Sequence, residues 1–172
     1  MLNSNDVLHK FGQTLVNEIK FALRNKNLTG YGPSVASGQL IESIRYEVRE
    51  NELLIYALNY IGALQYGRKP TTNGNQGGPT LKERIRMWLD QKGIEPDSIS
   101  KDSLAYLIAR KIHREGTTIY RRLDGQSSGL LDDVINDVLV NNIENALIFA
   151  YVNEIRSEIL RTVPSNMKTK VA

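Results

Sequence analysis

Residues 44–58 read IRYEVRENELLIYAL. Ile44, Tyr46 and Val48 alternate with Arg45, Glu47 and Arg49, and a period of two places these side chains on opposite faces of a strand. Glu50, Asn51 and Glu52 supply a polar turn, and Leu53 to Leu58 returns as a second, more apolar strand. Charge on one face predicts a hairpin wetted on one side. Ser37 to Ile41 also reads as a short helical lead-in, which leaves the start of the hairpin open.

The segments around the hairpin carry helical spacing. A helix starts near Ser4, a good N-cap, with Leu8, Phe11, Leu15, Ile19, Ala22 and Leu23 on one stripe, and stops by Asn27 to Gly30. Leu28 to Gly38 mixes Gly, Pro, Ser and Thr and reads as an exposed loop. Past the hairpin, Arg68 to Thr80 has almost nothing to bury and predicts a mobile loop. Thr80 and Glu83 form a capping box for a helix with Leu81, Ile85, Trp88 and Leu89 inward and Gly93 at its end. A second helix, capped by Asp97 or Ser100, buries Leu104, Leu107, Ile108 and Ile112 and ends at Gly116. Thr117 to Tyr120 is strand-like, and Leu123 to Gly129 reads as a break or hinge.

A last, long helix is expected from Leu131 to Arg161, with Asp132 and Asp133 in its first turn, where the macrodipole favours anions. Its apolar residues run from Leu131 through Ile143 and Ala150 to Ile159 at helical spacing. Unbroken, it would be ~45 Å long at 1.5 Å per residue. Ile148, Phe149 and Val152 widen the stripe near its middle, so the helix is expected to touch more than one surface. These three are the candidate oligomer interface. The fold class is therefore α+β, a small hairpin-based antiparallel sheet packed by amphipathic helices. Its expected organisation is a core over 1–122 with a flexible loop near 68–80, a helical arm over 123–163 and a flexible tail over 164–172.

Composition removes several functions. The 41% hydrophobic share of 172 residues is enough for a core and argues against disorder. No run approaches the ~18–20 apolar residues that span a bilayer, and Met1 to His9 lacks the order of a signal peptide. The absence of cysteine removes disulfides, thiolate catalysis and cysteine metal sites, and suits folding in a cytosol. The small net charge of +3 hides a segregation. Arg68 to Arg122 carries 12 basic and 6 acidic residues, whereas Leu123 to Val163 carries 2 basic and 7 acidic ones. Such blocks fit head-to-tail contacts between identical subunits, or they pair within one monomer.

Chemistry finds few candidates. His9 lies at the edge of the first helix stripe, and His113 sits among the basic residues Arg110, Lys111 and Arg114. Neither belongs to a G-x-S-x-G or H-E-x-x-H pattern, and no ligand spacing for a metal is present. Gly74, Gly77 and Gly78 lack the lysine of a phosphate-binding loop. No catalytic residue, cofactor or metal is expected. The basic residues Arg68, Lys69, Arg110, Lys111, Arg114, Arg121 and Arg122 make DNA binding the main rival, against a merely solvated basic face.

Two stretches together resemble a known family. NYIGALQYG at 59–67, followed by a basic, proline-containing loop, is similar to the Tyr-rich turn ending in an aromatic–Gly pair of tailed-bacteriophage neck and tail-completion proteins. LKERIRMWLDQKGI and SLAYLIARKIHREGTTIYRR resemble that family's later part, through Trp88, Lys92-Gly93, Leu107 to Lys111 and Gly116-Thr117. SGQLIESIRYEV is similar to its approach to the hairpin. The likeness covers roughly 37–122. Gln65 stands where an acidic residue is common, and Arg68 where Thr usually follows the glycine. The resemblance implies a non-enzymatic virion subunit of a sixfold or twelvefold ring between portal and tail, surrounding the path of DNA. Its partners would be copies of itself, neighbouring portal, adaptor or tail proteins, and packaged DNA touched without sequence readout. On that reading Tyr60, Tyr66, Arg68, Lys69, Arg121 and Arg122 are the candidate contacts to a partner or to channel DNA.

Overall fold

The computed structural model of the chain describes residues 3–28, 37–71 and 78–162. It holds seven helices and one two-stranded antiparallel sheet among those residues, an α+β fold. The expected loop centres at 29–36 and 72–77 and the expected tail over 164–172 lie outside the described residues. The chain divides into two compact units. One comprises Met1–Glu18, Arg45–Tyr56 and Val134–Ala172; the other comprises Ile19–Ile44 and Ala57–Asp133.

The first unit holds the start of α1 (Ser4–Asn25), the hairpin and α7 (Asp137–Thr162). The cap of α1 is Asn3, one residue earlier than expected. Asn3 Oδ1 accepts from the Asp6 N–H at 2.8 Å while the Asp6 carboxylate accepts from the Asn3 N–H at 3.1 Å. Ser4 is instead buried, its N–H donating to Glu154 Oε1 of α7 at 2.5 Å. The inward stripe includes Val7 and Val16 beside Leu8 and Leu15. β1 (Arg45–Arg49) pairs with β2 (Glu52–Tyr56), with Arg49 opposite Glu52. The turn is therefore two residues, and Glu52, expected in it, belongs to the strand. Glu50 and Asn51 both take positive φ, 42° and 73°, a combination whose twist matches that of the strands it joins. Tyr46 and Leu53 lie so close to α1 that a Cβ on Gly12 would collide with both.

The second unit is built on Ile19, Leu23, Leu28, Leu40, Ile41, Ile44, Leu89, Ala105, Ala109, Ile119 and Leu130, all buried. α2 (Gln39–Ser43) realises the helical lead-in to the hairpin. α3 (Ile61–Tyr66) occupies the NYIGALQYG stretch. α4 (Leu81–Gln91) has the expected capping box of Thr80 and Glu83. It ends with Gly93 donating to Asp90 O and Ile94 to Leu89 O, the paired bonds of a left-handed glycine cap. α5 (Lys101–Glu115) is capped by Ser100, whose hydroxyl accepts from Ser103 N–H. Its covered face runs along Ala105 and Ala109, and Leu107, expected inward, is exposed.

Two further expectations change. Thr117 to Tyr120 is helical: Thr117 caps α6 (Thr118–Leu123) by accepting from Tyr120 N–H, and Ile119 is buried. A local side-chain cap overrides the β-preference of Thr, Ile and Tyr. α7 begins at Asp137 rather than near Leu131, with Asn136 Oδ1 accepting from Leu139 N–H at 3.0 Å. Asp132 and Asp133 do not open that helix, because other partners hold them: Gln65 and Ser127 for Asp132, Lys26 for Asp133. The helix of 26 residues is ~39 Å long.

Candidate assembly surfaces

In the second unit the residues after α3 are tied to the α5–α6 junction. Arg68 N–H donates to Thr117 Oγ1 and Thr117 N–H to Arg68 O, each at 2.9 Å, and Thr71 N–H donates to His113 O at 3.0 Å. Glycine is required at both crossings. Gly67 has φ 73° and a Cβ there would strike the Tyr120 backbone; Gly116 has φ 79° and its Cβ would lie 2.7 Å from Arg68 O. Arg68 to Thr71, expected to be mobile, is thus a bonded strap.

This strap gathers Tyr66, Arg68 and Lys69 near the helix carrying Arg121 and Arg122. Tyr66 and Lys69 are exposed. The arginines are largely committed. Arg68 donates to Thr71 Oγ1, Arg122 to Leu28 O, and Arg121 pairs with Glu115 Oε2 at 2.6 Å. Arg114 also binds Glu115, and these two guanidinium groups, Arg114 first, hold that carboxyl below its usual range. Lys69, Arg110 and Lys111 are exposed and in no ion pair among the described residues. Tyr60 stands at the other end of α3, half exposed, its phenol pushed up by partial burial against a smaller opposing effect of a hydrogen bond with the Leu40 backbone.

Gln65, singled out in the sequence only as a departure from the pattern it resembles, organises this unit. Its amide nitrogen donates to Ser127 Oγ at 2.6 Å and Asp132 Oδ1 at 3.0 Å, and its Oε1 accepts from Leu131 N–H at 2.9 Å. Its own carbonyl accepts from Ser128 N–H at 2.6 Å. The segment expected as a hinge is therefore stitched to α3. A lone Gln in a Tyr-rich turn gives no sequence signal of such a role.

In the first unit the apolar residues of α7 surround the helix instead of forming one stripe. Ala150 is buried, and Leu139, Ile143, Ala146, Leu147, Asn153 and Glu154 are half-buried. Away from that covered face, Ile148, Phe149 and Val152 are 62%, 72% and 57% exposed, and Ile155 and Ile159 are also mostly exposed. The three candidate interface residues therefore point to solvent. The histidines take no shared position: His9 meets Tyr46 edge-on, centroids 5.9 Å apart, and His113 lies exposed on α5. Among the described residues no helix is long and apolar enough to cross a membrane, and no cluster of three His, Asp or Glu could hold a metal. No known protein family, curated protein or solved structure matches the chain.

Proposed function

We propose that this chain is a non-enzymatic structural subunit of a tailed bacteriophage, part of an oligomeric head–tail connector, neck or tail-completion ring. It would be assembled in the host bacterial cytoplasm and carried in the virion beside portal, adaptor or tail proteins. The observation that carries this reading is the exposed apolar side of α7, with Ile148, Phe149 and Val152 at its centre. A contiguous face of large apolar side chains is costly in a monomer and marks an interaction surface. The resembling stretches add support, since the loop that follows 59–67 is bonded to 101–122 through Arg68, Thr71 and Thr117.

The rival, a small DNA-binding protein acting through the basic 68–122 segment, loses ground on the same geometry. Arg68, Arg114, Arg121 and Arg122 already have partners within the unit, and a DNA binder needs its guanidinium groups turned to phosphate. Mass spectrometry of purified virions, with electron microscopy of the neck, tests the proposal: the chain is expected there in a stoichiometry matching a closed ring. Its absence from virions overturns the assignment. Tight retardation of free duplex, with a salt slope of several phosphates, would favour the rival.

A further inference from the structure

We propose that α7 is a self-association helix, meeting the α7 helices of further copies of this chain in a parallel, in-register bundle of more than two strands. The proposal deepens the ring reading and rests on it only for the final number of copies. Val138, Ile148, Val152, Ile155 and Ile159 are each more than half exposed. Together with Asn141, Asn145 and Thr162, also exposed, they occupy positions 138, 141, 145, 148, 152, 155, 159 and 162. The steps alternate three and four, an average of about 3.5 residues, the repeat that keeps one seam facing a second helix over many turns. The face covered by the chain itself, Leu139 to Glu154 through Ala150, lies on the other side. Two faces, one for the fold and one at heptad spacing, explain a helix that is apolar nearly all round.

The two asparagines decide the occupant and its direction. An antiparallel mate centred on the same apolar stretch would set Asn145 and Asn141 against Ile155 and Ile159, leaving amides unpaired in an apolar seam. A parallel copy in register sets each asparagine against its own counterpart, amide to amide, and each isoleucine against isoleucine. Such polar layers fix register at some cost in stability. In a closed ring of more than two copies, helices that run along the symmetry axis are all parallel.

Area and side-chain shape indicate more than two strands. A seam from Val138 to Thr162 is about 36 Å long and roughly 10 Å wide. Against one neighbour this covers less than half of the about 800 Å² per partner of a stable interface. Contact with a neighbour on each flank approaches that area, and it would also cover Phe149 and Tyr151, which border the seam and are exposed. Isoleucine at 148 and 155, in the seam positions where leucine favours pairs, shifts the preference the same way.

The chain has no cysteine, so a single introduced thiol in the full-length protein reports on the seam. Ile155→Cys is expected to give disulfide-linked dimers on mild oxidation, whereas Ser157→Cys, two residues on and off the seam, remains uncrosslinked. Val152→Asp is expected to weaken association at least tenfold by analytical ultracentrifugation, with an unchanged circular dichroism spectrum because the side chain is exposed. Equal crosslinking at both sites, none at 155, or a mass indifferent to Val152→Asp overturns the proposal. Crosslinking at 155 in a chain absent from virions would leave the bundle standing and remove the phage reading. A virion protein indifferent to Val152→Asp would do the reverse.

Discussion

At Gln65 three side-chain hydrogen bonds converge on a residue only 1% exposed. Removing the amide leaves the Leu131 N–H without its acceptor and Asp132 without one donor. Gln65→Ala is therefore expected to cost roughly 2–4 kcal/mol, a sum of lost packing and unmet polar groups, read by chemical denaturation. Gln65→Glu keeps the volume but places a second carboxylate against Asp132, so its destabilisation should ease as pH falls and one carboxyl takes a proton. Glycines give a paired contrast. Gly67→Ala meets both a positive φ and the Tyr120 backbone, whereas Gly93→Ala meets positive φ alone, with nothing within 4 Å of the added carbon. The second is expected to cost about 1 kcal/mol and the first clearly more, with the strap between Arg68 and Thr117 displaced. Thermal unfolding of the two variants side by side checks the order.

Between elements, short-range electrostatics joins α4 to α5. Asp90 accepts from Lys101 at 3.0 Å and pairs with Arg86 at 2.5 Å, while Lys101 also binds Glu95. Lys101, then Arg86, holds the Asp90 carboxyl below its ordinary range, and Glu95 and Asp90 hold the Lys101 ammonium above its own. The lowered carboxyl contributes stability that is present above about pH 4 and lost as pH falls through its lower folded value. The raised ammonium contributes stability present below about pH 10.4 and lost as pH rises through its higher folded value. The thermal midpoint should therefore respond little to this cluster near neutrality and fall at the acid end. Lys101→Met is expected to shrink the acid-side fall in a series of melts. At the start of α4 the reciprocal bonds of Thr80 and Glu83 make Thr80→Ala about 1 kcal/mol less stable.

For the molecule as an assembly, the relevant variables are concentration and salt. If α7 joins copies through an apolar seam, raising salt should leave association intact or strengthen it. A head-to-tail contact between the basic 68–122 block and the acidic 123–163 block would weaken instead. Sedimentation at two ionic strengths separates these. Asn145→Ile is expected to tighten association while broadening the distribution of stoichiometries, because it removes a layer that penalises wrong alignments.

Local rules in the chain were sufficient wherever a few neighbouring residues settle the conformation. The alternation from Ile44 to Val48, the Thr80–Glu83 box, Gly93 and Gly116 announced the hairpin, α4 and two helix ends, since periodicity and caps act over one or two turns. Tertiary packing decided what depends on distant partners. Asp132 and Asp133 look like a helix start, yet Gln65, Ser127 and Lys26 hold them and α7 begins later. Thr117 to Tyr120 has strand composition, yet Thr117 is bonded to the distant Arg68 backbone through both its N–H and its hydroxyl and caps a helical turn. Leu107 has the spacing of a core residue, but the small Ala105–Ala109 face is the one covered. Sequence likewise located the apolar centre of α7 at Ile148, Phe149 and Val152; only the fold divided its circumference into a covered side and an open one, because burial is a property of what lies across from a residue rather than of the residue itself.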